Sequence, residues 1–145
     1  MKKLMFFTAA VLAACMLLTG CVKERYPLPQ NAKVFEQGEY YDPEDPEAGY
    51  VTITYEGRVY APFGVQNGVI KDSDIEGAIG WVYRPDFPDD RGERVIKLKG
   101  TNDFLMVYYV NGIMEPRTFY RALDTAGKEI TIPSYIVSQD HGIWK

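Results

Sequence analysis

A chain of 145 residues with 16 basic and 20 acidic side chains carries a formal net charge of −4. That length holds one ordinary domain beside a targeting segment and leaves no room for two. The acidic balance lacks the clustered basic footprint of a nucleic-acid binder, and one histidine with two cysteines is too few for a zinc site built from those residues.

The chain opens on Lys2 and Lys3, continues through a nearly unbroken apolar stretch from Leu4 to Leu18, and reaches Cys21 by way of Thr19 and Gly20. Basic flank, short apolar segment and small residues before a cut site make up the layout of an export signal. The apolar core of about 15 residues falls short of the roughly 20 that a membrane-crossing helix needs. Leu18-Thr19-Gly20-Cys21 resembles the lipobox of bacterial lipoprotein precursors, a resemblance confined to residues 1–21. It implies that the Cys21 sulfur takes a diacylglyceryl group and that a dedicated peptidase recognises Leu18, Thr19 and Gly20 and cuts before Cys21. It implies, too, a product held on the extracytoplasmic face of a bacterial membrane by two acyl chains, where a single chain gives only marginal attachment. The part after the signal resembles small exported bacterial lipoproteins, a likeness that carries no activity.

Loss of residues 1–20 leaves 125 residues with 14 basic against 20 acidic side chains, a net charge of −6. Cys15 goes with the signal and Cys21 carries lipid, so the exported part forms no disulfide. That favours a Gram-positive surface over a disulfide-forming periplasm. Residues 22–49 read as a flexible tether. Pro27, Pro29, Pro43 and Pro46 break helices, and Glu36, Glu39, Asp42, Glu44, Asp45 and Glu47 are acids with no base among them. Such a segment buries too little apolar surface to offset its conformational entropy, and as a coil it spans roughly 30 Å. A calcium loop over Asp42–Glu47 would need carboxylates to converge where Pro43 and Pro46 restrict them.

From Tyr50 onward the pattern is that of strands. Val51, Ile53 and Tyr55 alternate with Thr52, Thr54 and Glu56, and Arg58–Ala61 resumes after Gly57. Ser73–Glu76 predicts one helical turn capped by Asp72 or Ser73, with Gly77 and Gly80 preventing a longer helix. Trp81–Arg84 and Arg94–Lys99 predict strands on either side of a loop. Phe104–Val110, apolar or aromatic throughout, predicts a strand buried on both faces at the centre of the sheet. Asn111-Gly112 signals a turn, Arg117–Leu123 the returning strand, and Glu129–Ile132 and Tyr135–Val137 two short further segments. Trp144 is expected to pin the tail. The fold expected for residues 50–145 is all-β, a single antiparallel sandwich or partly open barrel of about 6–8 short strands, with residues 94–132 as a meander.

Little in this pattern signals chemistry. His141 is the lone histidine and stands near the end, and no cysteine is free, so neither Ser-His nor Cys-His devices are indicated. Asp72-Ser73-Asp74-Ile75-Glu76-Gly77 opens like an EF-hand loop, but the twelfth position is Tyr83 where a bidentate glutamate is required. No catalytic residue, metal or cofactor is assigned, and the chain is not read as an enzyme. Aromatic residues are the remaining lead. Tyr60, Trp81, Tyr83, Tyr109 and Tyr120, with Tyr55, would form an exposed platform for a glycan or protein, unless strands simply favour such residues. The leading expectation is a membrane-anchored binding module with a cell-surface protein or glycan as partner and no nucleic acid. A structural component of the envelope is the alternative, and a small hydrolase the third reading.

Overall fold

Phe104–Tyr109, within the longest apolar run after the signal segment, is a strand whose first four side chains are all buried. A strand hides both faces only when other elements cover each of them, which suits the middle of a sheet. The computed structural model describes residues 24–110, 112 and 117–145; Leu18–Cys21 and the expected signal helix lie outside the described residues. In chain order the strands are β1 (Lys33–Phe35), β2 (Gly38–Tyr41), β3 (Gly49–Tyr55), β4 (Arg58–Gln66), β5 (Ile75–Val82), β6 (Glu93–Leu98), β7 (Phe104–Tyr109), β8 (Thr118–Ala122) and β9 (Ile136–Ser138). They form one sheet in the order β1-β5-β6-β7-β8-β4-β3-β2, with β9 added along β4. Three single 3-10 turns are the only helical elements among the described residues, and none is long and apolar enough to cross a membrane.

The fold is all-β, as the alternation predicts, and the sheet is one open, strongly curled half-barrel of 8–9 strands. It is not a sandwich of two sheets, and it is not wholly antiparallel, because β1 runs parallel to β5. Strands β6, β7 and β8 form the expected antiparallel meander. Curl follows from where alternate side chains go. On β7, Phe104 and Met106 join Phe63, Ile96, Leu98 and Phe119 in one cluster. Leu105 and Val107 join Phe35, Ile53, Tyr60, Val82 and Val95 in another. This second cluster draws on β1 at one end of the sheet and on β3 near the other, and the Phe35 and Tyr55 rings lie 6.1 Å apart. Contact between such distant strands requires the sheet to close over that face, which is therefore concave. Register shifts at Pro62/Gly64, Ile75/Gly77 and Ala78/Gly80 supply local bends.

Segments outside the strands cover the convex cluster. Tyr26, Ile70, Ile130, Tyr135 and Trp144 all pack there. Trp144 pins the tail as expected: its indole N–H donates to the Pro62 carbonyl at 2.7 Å and its ring meets Phe63 edge-on at 5.7 Å.

The expectation of a free tether over residues 22–49 fails for the described part, residues 24–49. Tyr26 is only 4% exposed. Its ring stands edge-on to Tyr108 at 5.4 Å, and the Arg117 guanidinium lies over it. Glu24 Oε1 accepts a 2.6 Å hydrogen bond from Arg94 Nη2. Phe35 fills the concave core, and β2 pairs antiparallel with β3. Composition misleads here because a few aromatic anchors suffice when the faces they fill are already built by other strands. Asp42 Oδ1 accepts from the Glu44 N–H and Asp45 Oδ1 from the Glu47 N–H, so these acids shape turns. Three smaller expectations also shift. The helical turn is Asp72–Asp74, preceded by Lys71, whose N–H donates to Asp74 Oδ2. Gly77 and Gly80 lie inside β5. Glu129–Ile132 makes no strand.

Candidate functional site

The expected aromatic platform is not assembled. Tyr60 is 2% exposed and belongs to the concave core, where Tyr55 and Tyr120 also pack. The Tyr60 hydroxyl donates to the Asn102 carbonyl at 2.8 Å. Trp81 pairs across the ladder with Arg94, which shares a strand face with the convex-side Ile96, and carries the Arg91 guanidinium over its ring at 4.7 Å. The Tyr109 hydroxyl donates to Asp90 at 2.9 Å, and Tyr83 is half-buried just beyond β5. The six rings thus divide between two faces and the strand ends. His141 sits edge-on to Tyr50 at 5.6 Å, near the tail.

What the fold does assemble is a polar cleft of about 970 Å³ at one end of the strands. Three segments build it. The first is the turn Lys99–Asp103 between β6 and β7, where Gly100 takes φ +79° and Thr101 Oγ1 accepts from the Asp103 N–H. The second is the loop Val69–Asp74, tied to that turn by the Lys99 N–H donating to the Asp74 carbonyl at 2.9 Å. The third is the strandless run Glu129–Tyr135, held by the Asn67 N–H donating to the Tyr135 carbonyl and by Tyr135 against Phe119.

Arg58 closes the floor. It opens β4 after a tight turn in which Glu56 and Gly57 both take positive φ. Its Nε and Nη2 donate to the two carboxylate oxygens of Asp124 at 2.8 and 2.6 Å, Nη2 also reaches Asp103, and Nη1 donates to the Asn102 carbonyl at 2.7 Å. The hydrogen bonds from Arg58 hold the Asp124 carboxyl below the usual aspartate range. Those same bonds, Asp124 first, keep the guanidinium more firmly protonated than an ordinary arginine. Burial raises the Tyr60 and Tyr135 phenols, so both stay neutral donors.

On this scaffold the cleft presents Lys71 and Lys99, neither of them ion-paired among the described residues, together with the Glu129 carboxylate and the hydroxyls of Thr101, Thr131 and Ser134. The arrangement can donate and accept hydrogen bonds along a polar partner while two ammonium groups favour an anionic one. None of these residues was singled out from sequence as a ligand contact. They lie far apart in the chain, and the single clue, the polar turn Gly100–Asp103, reads equally well as plain turn chemistry. Compared with known proteins, the chain matches no family model, no curated protein and no solved structure.

Proposed function

We propose that this is a lipoprotein anchored on the outer face of a bacterial membrane, and that its β domain is a binding module for a cell-surface protein or glycan. The observation that carries the address is the spacing of Leu18-Thr19-Gly20-Cys21 behind a short apolar run with a basic start. The cleft supports the binding role. Its wall is fixed by backbone hydrogen bonds and the Arg58 clamp, so polar groups are presented with little ordering cost on association. The expected partner is polar and carries negative charge facing Lys71 and Lys99. Two measurements test the reading. Intact mass of protein recovered from host membranes is expected to show a chain beginning at a diacylated Cys21; an unmodified 145-residue chain would overturn the address. Crosslinking on intact cells is expected to capture a partner that the double variant Lys71→Glu, Lys99→Glu no longer holds. Equal capture by that variant would remove the cleft from the proposal.

A further inference from the structure

Resting on the lipid-anchor reading, we infer that the β domain lies directly against the headgroups of the bilayer that holds Cys21, convex face inward, and is not displayed at the end of a spacer. The argument is one of reach. Glu24 and Tyr26 are strapped to the convex face by the Arg94 hydrogen bond, the Tyr108 edge contact and the Arg117 guanidinium. Only three chain links separate Cys21 from Glu24, and even fully extended they span no more than about 11 Å. The headgroup layer itself is roughly 5–8 Å thick on each side of the hydrocarbon. A leash that short holds the strap and the surface around it at the interface.

Around the strap Arg25 is exposed and faces Asp72, while Arg94 and Arg117 lie buried beneath Glu24 and Tyr26 and hold them in place. Asp72, which faces Arg25 at 3.8 Å, stands between Lys71 and the cleft-lining Asp74, so a ligand of the cleft is met at the membrane surface.

The test uses the full chain, processed and lipidated by a bacterial host and reconstituted in vesicles of phosphatidylglycerol and phosphatidylethanolamine. After processing no free thiol remains, so one introduced cysteine takes a fluorophore cleanly. Asp72→Cys marks the strap side. Thr54→Cys marks the outer side of β3, which lies across the concave core from the β6–β7 wall, roughly 20 Å from the strap by layer spacing. Nitroxide-labelled headgroups are expected to quench the Asp72 position several-fold more than the Thr54 position. Equal quenching, or the reverse order, overturns the inference. Inserting a Gly-Ser segment of about 20 residues after Val22, with a root-mean-square span near 25 Å, is expected to abolish the difference. A difference that survives the insertion overturns the short leash as its cause. Failure of the anchor reading is distinguishable, because an unlipidated chain is found by mass before any vesicle is made.

Discussion

Arg121 shows how a cation is kept inside this domain with no ion pair among the described residues, Asp103 acting on it only at a distance. Its Nε donates to Thr125 Oγ1 at 2.8 Å, and Nη2 donates to the carbonyls of Thr125 and Lys128 at 2.7 and 3.1 Å. Its planar group also lies over Phe63 and Trp144 at 5.4 and 5.0 Å. Burial lowers its pKa from the usual arginine value, but a guanidinium remains charged throughout the accessible range. Arg121→Ala is expected to cost about 3 kcal/mol, because two carbonyls lose their donors and two rings lose a stacking partner. Arg121→Lys is expected to recover less than half, since a single ammonium cannot serve the same fork. Urea denaturation of the two variants decides the point.

Two phenols make a prediction on the alkaline side. Burial, with Glu93 adding, pushes Tyr120 up to about 12. Burial, with Glu56 adding, does the same for Tyr55. A phenol whose folded pKa lies above its unfolded value contributes stability that is complete below the ordinary value of 10 and is lost as pH rises from there through about 12. Stability is therefore expected to fall across that window, and Tyr120→Phe is expected to flatten part of the fall. Phenolate absorbance followed alongside circular dichroism measures both at once.

At the scale of elements, glycine decides where the sheet may be extended. A Cβ on Gly80 would collide with the Lys33 carbonyl oxygen and with the Phe35 ring. Gly80→Ala is therefore expected to dislodge β1 and cost about 2 kcal/mol, the usual range for forcing extra volume into packed structure. Loss of hydrogen-exchange protection at the Tyr83 N–H, which donates to the Phe35 carbonyl at 2.8 Å, reports it locally. The same glycine explains a misreading. Gly77 and Gly80 look like helix breakers in a sequence, yet both sit at bulges in β5, Gly77 at φ +150° with open space beside it and Gly80 where the Lys33 backbone comes close. Strands β6, β7 and β8 were legible because local alternation or a doubly buried run marks them without reference to partners. Strands β1 and β2 were not, because three or four residues amid prolines and acids carry no period and are held by partners distant in sequence. The cleft was illegible for a related reason. Arg58 and Asp124 are 66 positions apart, and nothing local announces that a bidentate pair will form.

For the whole molecule the decisive question is where the domain begins. Pattern alone sets the boundary at Tyr50, whereas among the described residues the packing reaches back to Glu24. Tyr26 and Phe35 are both nearly inaccessible and lie on opposite faces of the sheet, one in each core. Burial of two such rings contributes about 5 kcal/mol together, a large share of the 5–15 kcal/mol net stability of an ordinary domain. Removing residues 24–49 also strips β2 from β3, leaving an unpaired strand edge open to association. A chain starting at Tyr50 is accordingly expected to unfold at a far lower urea concentration than one starting at Glu24, and to aggregate when concentrated. Equal midpoints for the two chains would return residues 24–49 to the role of a spacer. That outcome would also free the domain from the bilayer surface, since the strap that shortens the leash would then contribute nothing to the fold that holds it.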